Sequence, residues 1–338
     1  MTDLISESAK RLFAHYPAAP DDMDGLWNSA LWRAIVEAGF PLALLSEEEG
    51  GFSLEAEDAF SLLRIAAANC ATVPLGETML ANWMLAQTGL PLSEGPAAII
   101  LSDGEMAVPF GRHLQTLVTV AGQEDGVIVS RYDLRVTATD WQHGANLAGE
   151  PRDHLKALEG AGSQQAGRAT LSADTIDALG ALVRVQQIAG ALQAVLDMTV
   201  RYAGERVQFG KPIAKFQAIQ QYLAVMAGEV AAANAAASMA AQAFPFAVRD
   251  AQTFVLIVAA AKIRAGEAVG SVASLSHQVH GAIGFSREYA LHLLTRRLWS
   301  WRDEYGREAD WAGKLGNVAF KQPTGLWPFV TKLQSDFF

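Results

Sequence analysis

Two polar, glycine-containing segments interrupt the long apolar stretches in the second half of this 338-residue chain. The first reads Arg206-Val-Gln-Phe-Gly-Lys-Pro212, and the second reads Gln278-Val-His-Gly-Ala-Ile-Gly284. A guanidinium supplies a planar fork of donors that suits a diphosphate, and Phe209 offers a flat apolar surface to a ring. Glycines let the backbone come close to a ligand, so that turn amides can face phosphate oxygens. These residue types favour a site for an anionic ligand that carries a ring.

Each of these features also has an ordinary structural explanation when it is taken by itself. Arg206 can pair with a neighbouring carboxylate, and Phe209 can belong to the core. The Gly-x-x-Gly of the second segment can be a helix C-cap. As one uninterrupted string, however, the first segment favours the ligand site, with Gln208 as a polar handle.

Composition limits the class of protein. With 51% hydrophobic and 18% charged residues, the chain is globular rather than disordered. A net charge of −10 and a pI near 5.2 argue against nucleic acid or an anionic membrane as the main partner. The lone Cys70 excludes an internal disulfide, the first residues lack a signal-peptide pattern, and apolar runs such as 254–261 are too short to span a bilayer. We therefore expect a cytoplasmic protein that binds neither nucleic acid nor a membrane.

Several common catalytic motifs are absent from the sequence. It contains no His-Glu-x-x-His, no Cys-x-x-Cys and no Glu-x-x-His pair, so we expect no metal site. It also contains no Gly-x-Ser-x-Gly nucleophile elbow and no P-loop.

The order of elements predicts two parts before the polar segments. Residues 1–95 predict an N-terminal helical domain, because apolar residues such as Leu26, Leu31 and Ile35 recur at helical spacing. Residues 96–170 predict a reduced β domain with a small antiparallel sheet and a loop over 142–167. Its strands are expected at 97–101, 116–120, 126–130 and 134–138.

Residues 171–338 predict a C-terminal four-helix bundle, because long apolar helices are joined there by short connections. Ser172 or Asp174 is expected to cap the first helix, and Pro212 to lie in the first turn of the second. The predicted fold class is mainly α with a small β domain between an N-terminal helical domain and the bundle.

This layout and both polar segments resemble the acyl-CoA dehydrogenases, flavoenzymes that oxidise acyl-CoA thioesters to enoyl-CoA. Leu45-Ser-Glu-Glu-Glu-Gly-Gly51 is similar to the family's Pro-Glu-Glu-Tyr-Gly-Gly segment. Ala71-Thr-Val-Pro-Leu-Gly-Glu-Thr78 resembles another stretch that recurs in bacterial members. The family's Thr-Glu…Gly-Ser-Asp segment, which holds the flavin ring within one subunit, is not found.

The resemblance implies FAD as cofactor, contacted across a subunit interface. It gives that role to Arg206, Gln208 and Phe209 in the first segment. In the second segment it gives the role to Gln278 and to the glycine turn, where Gly281 matches and Ala282 replaces the family's second glycine.

The catalytic base is where the sequence departs from the family. Removal of the α-proton needs a carboxylate in a dry pocket, within reach of that carbon. The resemblance puts Tyr305 at the usual position of the base and Gly180 at the alternative one. Glu304, beside Tyr305, is the nearest carboxylate and is the candidate base.

The resemblance implies FAD-dependent α,β-dehydrogenation of an acyl-CoA thioester, with this chain as one subunit of a heteromeric enzyme. The alternative is a non-catalytic structural subunit that only completes the FAD site of a homologous partner. A self-sufficient homo-oligomer with Glu304 as base, and a bundle of unrelated function, are the other hypotheses. Expected partners are an acyl-CoA substrate, an electron-transferring flavoprotein, and a homologous subunit or a second copy in a tetramer. Steroid side chains, cyclic acids and simple fatty acids all remain open as acyl groups.

Overall fold

Apolar residues at helical spacing form four helices at the start of the chain: α1 (Thr2–His15), α2 (Ser29–Glu37), α3 (Ala56–Ala68) and α4 (Leu75–Gln87). The structure is a computed structural model that describes residues 2–17, 27–101, 107–159, 165–321 and 327. The chain divides into two compact units, Met1–Ile176 and Asp177–Phe338. The three-part division at 95 and 170 stays a prediction.

Helix α2 illustrates how a capping residue and apolar spacing form a helix in the N-terminal part of the chain. Asn28 caps the helix by accepting a hydrogen bond from the backbone N–H of Leu31 at 2.9 Å. Leu31 and Ile35 are buried, as the spacing predicts, whereas Leu26 lies outside the described residues. Gly39, at a φ of 74°, follows the helix with the backbone that favours glycine.

The described residues that follow form the strands β1 (Ala97–Leu101), β2 (Val108–Pro109), β3 (Thr116–Gln123), β4 (Gly126–Asp133), β5 (Ala138–Gln142), β6 (Arg152–Glu159) and β7 (Gln165–Ala169). They form a four-stranded sheet in the order β1-β3-β4-β7 and a three-stranded sheet in the order β2-β6-β5. All pairs in these sheets are antiparallel except β1 with β3, which is parallel.

Three predictions for this region are wrong. The sheet is not antiparallel throughout, since β1 pairs with β3 in parallel. No strand covers 134–137, because Asp133 turns the chain by accepting hydrogen bonds from the backbone and guanidinium of Arg135, and Val136 is left 76% exposed. The predicted loop over 142–167 contains β6 and the first residues of β7. Strand β6 escaped prediction because a buried ion pair between Asp153 and Arg112 interrupts its apolar alternation.

The second unit is helical, as predicted: α5 (Ala173–Glu205), α6 (Gln217–Gln242), the short α7 (Phe246–Arg249), α8 (Ala251–His280), α9 (Leu291–Asp303) and α10 (Glu308–Phe320). Buried polar side chains join its helices, for example Gln186 of α5, whose amide donates to the carbonyl of Ala237 in α6 at 2.8 Å. The expectation for Pro212 is wrong. It pairs with Val207 in a two-stranded hairpin, which keeps it outside α6.

Two of these helices are long and apolar enough to cross a membrane by length and composition alone. In α5 the apolar window is 78% buried, which is typical of the core helix of a folded bundle. In α6 only 28% of the window is buried. Its single charged residue, Glu229, is paired with Arg264 of α8. An uncharged face of α6 therefore lies on the surface of the chain.

Candidate functional site

The first polar segment folds into a tight hairpin, which we call the Arg206 hairpin (residues 206–212). Strands β8 (Val207–Gln208) and β9 (Lys211–Pro212) pair, and the backbone N–H of Ile213 donates to the carbonyl of Arg206 at 2.8 Å to close the base. Phe209 and Gly210 form the tip with φ angles of 50° and 78°. Positive φ at both central residues is the geometry of a type I′ hairpin turn.

Phe209 at this tip does not belong to the core, because its side chain is 92% exposed. Its ring makes one edge contact with Phe216, at a centroid distance of 6.1 Å. A bulky residue with positive φ is strained, and such strain is found at ligand sites more often than elsewhere. The exposed ring is therefore available to cover a ligand.

Arg206 and Gln208 belong to the same hairpin as this ring. Arg206 is exposed, and no carboxylate among the described residues lies within ion-pair distance of it. The alternative reading of an internal ion pair is therefore not supported. Gln208 is also exposed, and its amide donates to the carbonyl of Val207 at 2.9 Å. A guanidinium that no carboxylate among the described residues engages, together with an exposed ring, fits a diphosphate attached to a ring system.

The second segment forms a 3-10 helix, which we call the Gly281 turn (Gly281–Phe285). Gly281 has a φ of 64°, which favours glycine although no atom lies close enough to exclude a Cβ. Gln278, Gly281 and Ala282 are exposed. Gly284 is buried, and a Cβ there would lie 3.0 Å from the Cβ of His280, so glycine lets the turn approach α8 closely.

The structure joins these two segments through their flanking residues. The rings of Tyr202 and His280 stack with centroids 4.4 Å apart. Tyr202 precedes the Arg206 hairpin by one helical turn, and His280 is the last residue before the Gly281 turn. All six residues predicted to contact FAD thus belong to neighbouring segments of the second unit.

Glu304 ends α9 and forms an ion pair with Arg184 of α5. Its Oε2 lies 2.6 Å from the Nε of Arg184, whose side chain is 1% exposed. Arg184 also donates to Oε1 of Gln187 at 2.6 Å. A base that removes a proton from carbon needs a carboxylate that is not already engaged by a cation. Glu304 as base stays a prediction, and its contacts favour an anchoring role.

Tyr305 and Gly180, the two positions that the resemblance assigns to a base, face each other. A Cβ built on Gly180 would lie 2.1 Å from Cε1 of Tyr305, so the phenol ring fills the space beside the glycine. Tyr305 has a φ of 55°, and its carbonyl accepts a hydrogen bond from the indole N–H of Trp311 at 2.8 Å. The guanidinium carbon of Arg184 lies 5.4 Å from the ring centroid. The place expected for a carboxylate therefore holds an aromatic ring against a glycine.

A buried lysine fixes the connection between α9 and α10. The Nζ of Lys262 donates to the carbonyls of Arg302 and Gly306, each at 2.7 Å. Burial lowers the pKa of this amine from 10.5 to about 8, and the nearby carboxylate of Glu308 offsets part of that effect. Lys262 and Arg184 were not identified from the sequence. A cation inside a long apolar helical run was the available signal, because such a residue is buried only with partners.

Within the described ranges, no group of three or more His, Cys, Asp and Glu side chains is placed to hold a metal ion.

Comparison with known proteins finds a family model that matches most of the second unit. Residues 178–302 match the domain described as acyl-CoA dehydrogenase, C-terminal domain. Acyl-CoA dehydrogenase IpdE2 of Mycobacterium tuberculosis is 27% identical over 272 residues, which is 80% of each chain. Acryloyl-CoA reductase (NADH) of Anaerotignum propionicum is 32% identical over 204 residues. That match covers 60% of this chain and 45% of the reductase, so the chain spans less than half of that relative.

Solved structures share the fold over nearly the whole chain. A chain of the ChsE4-ChsE5 complex from Mycobacterium tuberculosis superposes with a TM-score of 0.80 at 20% identity, covering 95% of this chain and 98% of the other. Butyryl-CoA dehydrogenase from Megasphaera elsdenii gives a TM-score of 0.81 at 18% identity, with the same coverage. The mainly helical fold with a small β region, predicted from the sequence, is confirmed.

Proposed function

We propose that this chain is a member of the acyl-CoA dehydrogenase family of oxidoreductases and acts as one subunit of a heteromeric acyl-CoA dehydrogenase. In that enzyme the Arg206 hairpin and the Gly281 turn complete an FAD site whose remaining contacts come from a homologous partner subunit. The observation that carries the proposal is the fully exposed Phe209 at the tip of a strained hairpin. A ring held in this way has its binding partner outside its own subunit.

The chemistry follows from the residues that the chain presents. When bound, FAD would supply the two-electron oxidant: the Cβ–H bond of the acyl thioester would give up its hydride while a base removes the proton from Cα. Arg206 would pair with the diphosphate, Phe209 would cover a ring, and the backbone at Gly281 and Ala282 would approach the phosphate oxygens. Gln278 adds a polar contact beside the turn. An electron-transferring flavoprotein is the expected acceptor of the electrons.

The base is expected in the partner subunit. In this chain, Tyr305 packed against Gly180 occupies the space where the family resemblance expects a carboxylate. Glu304 is turned toward the guanidinium of the buried Arg184. The competing proposal, a subunit that catalyses with Glu304 as base, requires that ion pair to open. A chain of the complex named ChsE4-ChsE5 has a closely similar fold, which supports a two-subunit arrangement.

The proposal is tested by Arg206→Ala, assayed in the complex that this chain forms when it is co-expressed with a homologous acyl-CoA dehydrogenase subunit. Loss of a charge-assisted contact with the diphosphate is expected to lower FAD retention about tenfold or more. Arg249→Ala is the matched control. Arg249 is also exposed, but it lies in α7, which follows the far end of α6 from the hairpin. Equal FAD retention in the two variants would remove Arg206 from the site.

A further inference from the structure

Three rings in mutual contact connect the two segments of the proposed FAD site, and nothing in the proposed function assigns them a role. We propose that Tyr202, His280 and Tyr289 form a positioning clamp that fixes the Arg206 hairpin and the Gly281 turn relative to each other. The clamp holds them at the spacing at which one ligand bridges both. This inference rests on the proposed function, since that function requires both segments to touch the same molecule.

The clamp is built from close contacts between all three rings. His280 is 3% exposed and stacks on Tyr202 with an interplanar angle of 24°. Tyr289 lies against both, with centroid distances of 5.0 Å to His280 and 6.0 Å to Tyr202. The phenol of Tyr202 donates to the backbone carbonyl of His280 at 3.3 Å. One side chain from α5 therefore contacts the backbone at the end of α8.

The hydrogen bonds of His280 fix its tautomer. Its Nδ1 lies 2.8 Å from the carbonyl of Ser276, which can only accept, so Nδ1 carries the proton. Nε2 is then an acceptor, and the phenol of Tyr289 donates to it at 3.3 Å. Burial lowers the pKa of His280 and raises the pKa of Tyr289, and both shifts keep the pair in this neutral form.

The rings are connected to the site by short stretches of backbone. The N–H of Arg206 donates to the carbonyl of Tyr202 at 2.9 Å, so the last turn of α5 transmits any movement of Tyr202 to the hairpin. His280 precedes Gly281, where the positive φ starts the turn. Tyr289 follows the turn by four residues, so its bond to His280 closes the turn from the other side.

A second ring pair supports the same turn. His277 stacks on Phe285 with centroids 4.2 Å apart, and its Nε2 lies 3.0 Å from Oγ1 of Thr295 in α9. The Gly281 turn is therefore held between two histidines of α8, one at each end. Packing of the core alone does not explain this arrangement, because the turn itself is exposed and Phe285 is 71% exposed.

The test uses Tyr202→Phe and Tyr289→Phe, which keep each ring and remove one O–H donor. Tyr132→Phe, on β4 of the first unit, is the matched control. Amide hydrogen exchange of the isolated chain is measured at Arg206 and Ile213 and at Gly281 and Ser286. These amides are hydrogen-bonded at the bases of the two segments. Loss of one net hydrogen bond is expected to speed exchange about fivefold in both segments for either variant.

The clamp would be overturned if exchange became faster only in the segment next to the substitution. It would also be overturned if exchange in both segments were no faster than in the Tyr132→Phe control. FAD retention of the complex separates this result from the proposed function. With the clamp weakened, FAD is expected to dissociate about fivefold faster, while the melting temperature of the complex stays close to that of the control. If Arg206→Ala leaves FAD retention unchanged, the proposed function fails, whatever exchange shows about the clamp.

Discussion

Replacing Gly180 by alanine tests whether the two positions assigned to a catalytic base line one space. A Cβ at this position would lie 2.1 Å and 2.2 Å from Cε1 and Cδ1 of Tyr305. Ordinary contact begins near 3.4 Å, so the ring has to move by about 1 Å. Tyr305 is half-buried, and its carbonyl is held by Trp311, which restricts that movement. Overpacking of this kind costs about 1–3 kcal/mol of unfolding free energy.

Gly228→Ala, in α6, is the matched control for helix propensity. Nothing lies within 4 Å of a Cβ at Gly228, so alanine there is expected to stabilise by about 0.5–1 kcal/mol. In urea unfolding of the isolated chain, Gly180→Ala is expected to be about 1–3 kcal/mol less stable than this control. Tyr305→Gly removes the ring. When Gly180→Ala is added to a chain that already carries Tyr305→Gly, it is therefore expected to cause no loss of stability from overpacking.

The reasoning would be refuted by one of two results. The first is that Gly180→Ala stabilises the chain as much as Gly228→Ala does. The second is that the effects of Gly180→Ala and Tyr305→Gly add without coupling. Either result would mean that the phenol ring does not fill the space beside Gly180.

Three further predictions test the buried cations and the exposed ring. Lys262 has a pKa of about 8 in the folded chain and 10.5 in the unfolded chain. Between these two pH values the unfolded chain binds more protons, so the free energy of unfolding rises with pH. The stability of the wild type relative to Lys262→Met is therefore expected to rise by on the order of 3 kcal/mol from pH 7 to pH 10.5. A stability difference that does not change with pH would contradict the burial of this amine. Glu304→Gln removes the negative charge that lies 2.6 Å from the buried Arg184 guanidinium and is expected to cost roughly 3 kcal/mol in urea unfolding. The exposed pair of Asp303 with Arg307 makes Asp303→Asn a control that costs about 0.5 kcal/mol or less, and equal effects would remove the anchoring role of Glu304. Phe209→Ala is expected to change the stability of the isolated chain by less than about 0.5 kcal/mol, because the ring is exposed. In the complex the same variant is expected to lower FAD retention several-fold, and unchanged retention would contradict a role for the ring.

The helices could be predicted from the sequence because their signals are local. Apolar periodicity and a capping residue located α2, α5 and the other long helices within a few residues. The parallel pairing of β1 with β3 left no local signal, since it depends on how distant segments meet. Strand β6 was missed because its buried Asp153 is satisfied by Arg112, a residue 41 positions away.

The candidate site shows the same division between local and tertiary information. Residue types and glycine spacing located the Arg206 hairpin and the Gly281 turn, and the structure shows that both are exposed. Tyr305 and Gly180 lie against each other although they are distant in the chain, and no local sequence pattern indicates this contact. Side-chain type also does not reveal pairing: Glu304 is a plausible base by chemistry, and only its contact with Arg184 shows how it is engaged.

The flavin content of the chain purified alone, compared with that of its complex with a co-expressed homologous subunit, tests the central claim most directly. The proposed function predicts a colourless isolated chain, because the FAD contacts it supplies form only one side of the site. It also predicts flavin absorbance, and its reduction by an acyl-CoA, in the complex. An isolated chain that holds about one FAD and is reduced by an acyl-CoA would contradict this account, and it would return the role of base to Glu304.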